Sequence, residues 1–174
     1  MSNPVLLLDA AWRVDRIIGV EYACELLLES KAVAASDDIA KIMHSPSLTV
    51  EIPSVIARVG SLRGAGHRGV ACSPRRVKLR DGHVCQFVVD GVPCDRRGDT
   101  VDHLVPRAMS GITSWHNCVG ACRFHNGWKA STPIDEMRRR HGWELLREPF
   151  VPSRAALIVA SVPHRPAWQP FLVA

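Results

Sequence analysis

Residues 101–129 read VDHLVPRAMSGITSWHNCVGACRFHNGWK, and this stretch concentrates residues suited to metal binding and proton transfer. An Asp-His pair is followed by a His-Asn pair and then by Cys-x-x-His-Asn. Each of these residue types can also serve structure alone. Their spacing therefore has to decide between a structural and a chemical interpretation.

Two pairs of potential zinc ligands flank the Asp-His pair. Cys85 and Cys94 bracket the segment QFVVDGVP, in which Asp-Gly predicts a hairpin turn that brings the two thiols together. Cys122 and His125 follow with C-x-x-H spacing at the start of a predicted helix. Three thiolates and one imidazole form a closed tetrahedral site for structural zinc. The spacing therefore predicts a structural Zn²⁺ site, and the alternative is a set of reduced core cysteines.

The remaining polar residues favour a second ion and a hydrolytic reaction. Asp102 and Asn126 carry oxygen donors that suit Mg²⁺ or Mn²⁺ rather than zinc. Neighbouring helical residues point about 100° apart, so His125 can face the zinc while Asn126 faces the second ion. Lys129 shares the face of Asn126 and is suited to holding a phosphate. His103 is suited to take a proton from water near neutral pH, which favours phosphodiester hydrolysis. The alternative is an Asp-His pair at the surface without a chemical role.

The order of these elements resembles the HNH endonuclease family. Its motif runs C…C, DH-x-x-P, a Gly-containing loop, an Asn and C-x-x-C-H/N-x-x-K. The matching residues here are Cys85 and Cys94, Asp102-His103 with Pro106, Ser110-Gly111, Asn117, and Cys122-x-x-His125-Asn126-x-x-Lys129. The match covers roughly residues 78–137, and the flanks resemble, more loosely, small HNH proteins of actinobacteria and their phages.

The resemblance implies a ββα-metal core, with strands near residues 101–105 and 117–121 and a helix from about residue 123 onward. It implies that His103 is the general base and that Asp102 and Asn126 are ligands of a catalytic Mg²⁺ or Mn²⁺. It also implies that Asn117 tethers the intervening loop and helps to orient the histidine. The implied DNA contacts are Arg107, Arg123 and Lys129.

Two positions depart from the family pattern. His125 stands where a zinc cysteine is usual, and Asn126 stands where a histidine is common. Both replacements retain a donor atom. A competing alignment makes His125 a ligand of the catalytic ion and leaves the zinc with three cysteines.

The charge is unevenly distributed along the chain. Residues 1–57 hold four Lys/Arg against eight Asp/Glu, whereas residues 58–140 hold fifteen against seven. A basic middle segment predicts a polyanionic partner such as DNA. The alternative is a solvated basic face without a partner.

Hydrophobic periodicity predicts an α+β fold. We expect an N-terminal α+β accessory region at 1–60, a basic connector at 61–77, the nuclease core at 78–140 and a C-terminal packing segment at 141–174. Predicted elements outside the core are strands within 4–9, 31–36 and 48–59, and helices within 19–30 and 74–80. Residues 153–168 are expected to form strand-like pieces.

The sequence thus predicts a metal-dependent DNA endonuclease. The alternative is a zinc-stabilised, non-catalytic DNA-binding module, such as a packaging or regulatory subunit. No apolar run approaches the roughly 20 residues needed to span a bilayer, so we expect no membrane partner and a cytoplasmic location, in a bacterium or a phage-infected cell. A homodimer and contact with phage packaging machinery are compatible with this function.

Overall fold

The computed structural model describes residues 3–60 and 69–172. The fold is mixed α+β, as predicted, and the chain divides into two compact units. The first unit is Met1–Gly69 with Arg154–Ala174, and the second is Val70–Ser153. The predicted nuclease core at 78–140 lies inside the second unit, whereas the predicted C-terminal segment is shared between both.

The strands are β1 (Val5–Leu8), β2 (Val14–Ile18), β3 (Ala32–Ala34), β4 (Ile39–His44), β5 (Thr49–Pro53), β6 (Val55–Arg58), β7 (Phe87–Val89), β8 (Val92–Pro93), β9 (Thr100–His103), β10 (Cys118–Ala121) and β11 (Glu144–Leu145). The α-helices are α1 (Val20–Leu28), α2 (Pro74–Arg80), α3 (Arg123–Lys129), α4 (Ile134–His141), α5 (Arg154–Ser161) and α6 (Gln169–Leu172). None of the helices among these described residues is long and apolar enough to cross a membrane.

A four-stranded sheet in the order β2-β1-β6-β3 organises the first unit. Strand β1 pairs in parallel with β6, and β4 and β5 form a separate antiparallel pair. The four residues of β1 are fully buried because both faces of the sheet are covered. Val5 and Leu7 pack with residues of α1, and Leu6 and Leu8 pack with the C-terminal helices.

The C-terminal segment corrects one prediction. Residues 154–161 form helix α5 rather than a strand-like piece. Ala155 and Ile158 lie three residues apart on the buried face of this helix, together with Leu157. A short apolar run such as AALIVA cannot be assigned by periodicity alone, and the helical spacing decides here.

The second unit contains the predicted site. Helix α2 begins at Pro74, as predicted, and the Ser73 side chain accepts a hydrogen bond from the backbone N–H of Arg76. Strands β11, β7 and β8 form one small sheet, and β9 and β10 form an antiparallel pair that is followed by α3. The core of this unit includes Phe87, Val119 and Trp143. Of the predicted connector, residues 61–68 lie outside the described residues.

Candidate metal centre and active site

Strands β9 and β10 and helix α3 place the predicted functional residues. The antiparallel register aligns Cys118 with His103 and Val119 with Asp102. Helix α3 follows β10 after one residue, Cys122, whose thiol accepts from the backbone N–H of His125 at 3.4 Å. The strand pair is therefore continuous with the helix that carries the remaining candidate ligands.

The four predicted zinc ligands come together. The ligand atoms of Cys85, Cys94, Cys122 and His125 all lie within 4.8 Å of one another. His125 Nδ1 is 3.6 Å from the Cys85 sulfur and 3.5 Å from the Cys122 sulfur. Tetrahedral zinc, with bonds of about 2.3 Å to sulfur and 2.0 Å to nitrogen, separates such atoms by about 3.6 Å. The cluster could hold a metal ion such as zinc, and the predicted grouping is confirmed.

The chemistry of these donors also fits a metal ion. Burial raises the pKa of the Cys85 thiol to about 12, and the neighbouring thiols of Cys122 and Cys94 add to this effect. Burial lowers the pKa of His125, and the nearby Arg96 lowers it further. A neutral imidazole is a donor that zinc binds, whereas zinc must displace the proton of the Cys85 thiol because it binds the thiolate form. The competing alignment, which gives zinc only three cysteines, is not the arrangement found.

Aromatic side chains surround the cluster. His125 makes edge contacts with Trp143 and Phe87, at ring-centroid distances of 5.3 and 6.3 Å. Phe87 and Trp143 are fully buried and contact each other at 4.9 Å. These contacts restrict the orientation of the imidazole, so the ligand geometry does not depend on the metal alone.

Asp102 lies in a buried ion pair with Lys129. Its Oδ2 atom is 2.9 Å from Lys129 Nζ, and Lys129 is fully buried. Apart from this ion pair, Oδ2 has no hydrogen-bond partner among the described residues. Burial raises the pKa of the Asp102 carboxyl, and the contact with the Lys129 ammonium counteracts part of this rise.

His103 is held at both its backbone and its ring. Its carbonyl oxygen accepts a hydrogen bond of 2.8 Å from Lys129 Nζ. Its ring Nε2 lies 2.9 Å from the hydroxyl oxygen of Thr113. Nδ1 has no hydrogen-bond partner among the described residues, so this nitrogen is the one left for a reactant.

Asn117 closes the loop between β9 and β10. Its Oδ1 accepts from the backbone N–H of Val105 at 2.8 Å. Its amide group donates to the carbonyl oxygens of Val105 and Ile112, at 3.1 and 2.9 Å. The side chain thus links both ends of the loop, which is the contact pattern expected of a tether.

Asn126 reaches strand β9 from helix α3. Its amide group donates to Thr100 Oγ1 at 2.9 Å and to the carbonyl oxygen of Val101 at 3.4 Å. Its Oδ1 atom has no hydrogen-bond partner among the described residues. Thr100 and Asp102 are two residues apart and therefore share a face of the strand. Asn126 and Lys129 are three residues apart and therefore neighbour each other on the helix surface. Asn126 therefore contacts β9 at Thr100, two residues before the position at which Lys129 contacts Asp102.

The three predicted DNA contacts differ in exposure. Arg107 is exposed, and the Arg123 side chain is 85% exposed beside Asp99, at 3.2 Å. Lys129 is fully buried, and its ammonium group is occupied by Asp102 and His103. In this position Lys129 has internal partners rather than a solvent-facing ammonium group that a phosphate could reach.

Comparisons with family models, curated proteins and solved structures gave no match. The interpretation of the site therefore depends on its own residues.

Two contributors to the site were not identified from the sequence. Thr113 contacts the candidate base from an exposed loop position with no motif around it. The buried Arg80 and Asp81 pair supports β10, since Asp81 Oδ2 accepts from the Gly120 N–H at 2.7 Å and Arg80 donates to the Cys118 carbonyl at 2.7 Å. The sequence signal for this pair was the adjacent, oppositely charged Arg80 and Asp81 at the end of the helix predicted for residues 74–80.

Proposed function

We propose that this protein is a metal-dependent DNA endonuclease of the HNH type. The observation that carries the proposal is the arrangement at the end of β9. His103 has an unpartnered Nδ1, it adjoins the buried carboxylate of Asp102, and helix α3 packs its polar side chains against the same strand. The zinc-type cluster at the start of that helix supports the likeness to a ββα-metal core.

His103 is the general base of the proposed reaction. Its neutral ring takes a proton from water at Nδ1, and the oxygen of that water attacks the phosphorus of the DNA backbone. The Lys129 contact to its carbonyl group and the Thr113 contact to its ring limit its movement. A base that is held in place in this way loses little orientational freedom during the reaction.

Asp102 and Asn126 are the proposed ligands of a Mg²⁺ or Mn²⁺ ion. Their donors are a carboxylate and a carboxamide oxygen, which these hard cations prefer. The Asn126 Oδ1 that lacks a partner among the described residues agrees with this donor chemistry, whereas Asp102 Oδ2 would have to bind the ion beside the Lys129 ammonium, 2.9 Å away. When bound, such an ion stabilises negative charge on the scissile phosphate and the leaving oxygen.

The exposed arginines supply the contacts to the DNA backbone in this proposal. Arg107 begins a short 3₁₀ helix in the loop after β9, and Arg123 begins helix α3. Lys129 is reassigned as an internal cation that balances Asp102 and fixes the His103 backbone, because its ammonium group is fully buried. Asn117 keeps its proposed role as the loop tether.

The test is cleavage of supercoiled plasmid DNA by the zinc-loaded protein in a series of added Mg²⁺ and Mn²⁺ concentrations. We expect His103→Ala to slow nicking by about 10²- to 10⁴-fold, the usual contribution of a general base. Its DNA affinity in a gel-shift assay should stay close to that of the wild type. His116→Ala is the matched control, since His116 lies in the same loop, is exposed and contacts the Pro149 carbonyl oxygen rather than the candidate site. Equal cleavage by the wild type and His103→Ala would refute the mechanism.

One observation favours a second candidate, a zinc-stabilised DNA-binding module without catalysis. The Lys129 ammonium already balances the Asp102 charge, so the carboxylate has a counter-charge without any divalent ion. Titration of the zinc-loaded protein with Mn²⁺, followed by electron paramagnetic resonance, separates the two candidates. The nuclease requires a Mn²⁺ site that the double variant Asp102→Asn with Lys129→Met removes without leaving a buried charge unpaired, whereas the binding module shifts DNA without such a site.

A further inference from the structure

The loop between β9 and β10 carries a hydroxyl group to the ring of His103. Thr113 Oγ1 lies 2.9 Å from His103 Nε2, which is the length of a well-formed hydrogen bond. Thr113 is exposed and lies outside any helix or strand. Among the described residues, the Thr113 hydroxyl has no hydrogen-bond partner other than His103.

Contacts on the N-terminal side of Thr113 fix where it lies. The Ile112 carbonyl oxygen accepts from the Asn117 amide at 2.9 Å, and the Gly111 N–H donates to the Pro106 carbonyl oxygen at 3.0 Å. A Cβ atom at Gly111 would overlap the carbonyl oxygen of Val105, so only glycine allows this close approach. The loop is therefore anchored at the residues that directly precede Thr113.

The backbone of His103 is fixed independently of the loop. Its carbonyl oxygen binds Lys129 Nζ, and the residue pairs with Cys118 across the strand pair. Rotation of the ring is the freedom that remains. A hydroxyl group at Nε2 restricts that rotation, and it can either accept Nε2–H or donate to an unprotonated Nε2.

We propose that Thr113 is a positioning residue that accepts the Nε2–H of His103 and thereby keeps Nδ1 as the proton-accepting nitrogen. The inference rests on the proposed nuclease function for its kinetic consequence. In the step itself, an O–H bond of water breaks, an N–H bond forms at Nδ1, and the water oxygen bonds to phosphorus. The P–O bond to the leaving oxygen then breaks, and that oxygen takes a proton from solvent. Thr113 accepts from Nε2–H before and after the transfer, so its hydroxyl does not have to reorient.

Two substitutions isolate the hydroxyl group. Thr113→Val keeps the branched shape and removes the hydroxyl, whereas Thr113→Ser keeps the hydroxyl and removes a methyl group. Because Thr113 is exposed, neither change disturbs a buried core. Circular dichroism and zinc content should match the wild type in both variants.

The first measurement is nuclear magnetic resonance of protein labelled with ¹⁵N at its histidines, with His103 assigned by comparison with His103→Gln. We expect the wild type and Thr113→Ser to show the Nε2-protonated ring with an observable Nε2–H proton. Thr113→Val should lose that proton signal and show a mixture of tautomers. An unchanged spectrum in Thr113→Val, or an Nδ1-protonated ring in the wild type, overturns the inference.

The second measurement is plasmid nicking under saturating and limiting DNA. We expect Thr113→Val to lower kcat by about 10- to 100-fold, part of the usual contribution of a general base, with KM little changed. Thr113→Ser should restore most of kcat. A loss that serine does not restore indicates packing and overturns the inference.

The two proposals fail separately. If the wild type does not cleave DNA but the spectra differ as expected, the positioning role stands and the nuclease function falls. If cleavage depends on His103 but neither the spectrum nor kcat responds to Thr113→Val, the nuclease function stands and the positioning role falls.

Discussion

Replacing Lys129 by methionine should strongly destabilise the second unit. Methionine retains much of the volume of the side chain but leaves Asp102 buried without its counter-charge. Asp102 is 5% exposed and lies 2.9 Å from the lost ammonium group. The hydrogen bond to the His103 carbonyl oxygen is lost as well.

The magnitude follows from the protonation of Asp102. Without Lys129, the buried carboxyl escapes desolvation by binding a proton, which at pH 7 costs about 4 kcal/mol for a group whose ordinary pKa is near 3.9. This agrees with the loss of about 3–5 kcal/mol that is typical when one partner of a buried ion pair is removed. Because the folded carboxyl has a raised pKa, the penalty is largest at neutral pH and disappears as pH falls below its ordinary value.

The assay is urea denaturation of the zinc-loaded protein at pH 7 and again near pH 6, with the zinc content verified at both values; the penalty should fall by about 1.4 kcal/mol between them. Arg123→Met is the matched control, since it removes an exposed ion pair that contributes little. The double variant Lys129→Met with Asp102→Asn should lose less unfolding free energy than the two single variants lose in sum, because it leaves no buried charge unpaired. A Lys129→Met loss no larger than that of Arg123→Met, at both pH values, would show that the buried pair has been misplaced.

Three further predictions concern the metal, the loop and pH. Chelation of zinc should unfold the second unit and expose Trp143, while the first unit keeps its own core; two separate thermal transitions by fluorescence would confirm this, and an unchanged melting curve after verified metal loss would contradict it. Asn117→Ala should cost about 1–3 kcal/mol of unfolding free energy, because the three hydrogen bonds of its side chain to Val105 and Ile112 are lost together. Asn117→Asp keeps the oxygen that accepts from the Val105 N–H and should cost less in the same urea experiment. The hydrogen bond from Arg165, and then that from Ser54, lowers the pKa of Asp38, so Asp38→Asn should reduce thermal stability slightly at pH 7, and the difference should shrink as the pH falls through this lowered pKa.

The parts of the site that the sequence predicted are those with local spacing rules. The C-x-x-H pair, the hairpin between Cys85 and Cys94 and the start of helix α2 at Pro74 each follow from contacts between residues near in the chain. The strands at 100–103 and 118–121 agree closely with the predicted ranges.

The parts that were missed depend on packing between distant residues. The burial of Lys129 depends on the approach of α3 to β9, and a lysine in a sequence is ordinarily exposed. The Thr113 contact depends on the path of a loop, which no periodicity describes. Helix α5 was misassigned because its apolar run fits either secondary structure until the sheet beneath it is known.

The division of the chain has a consequence for synthesis on the ribosome. The core of the first unit combines Leu6 and Leu8 with Trp168 and Leu172, which are separated by the whole of the second unit. The cysteine-rich unit is therefore complete as soon as Ser153 has left the exit tunnel. The amino-terminal strands emerge earlier and can pack Val5 and Leu7 against α1, but the face that carries Leu6 and Leu8 is covered only once the final helices have been made.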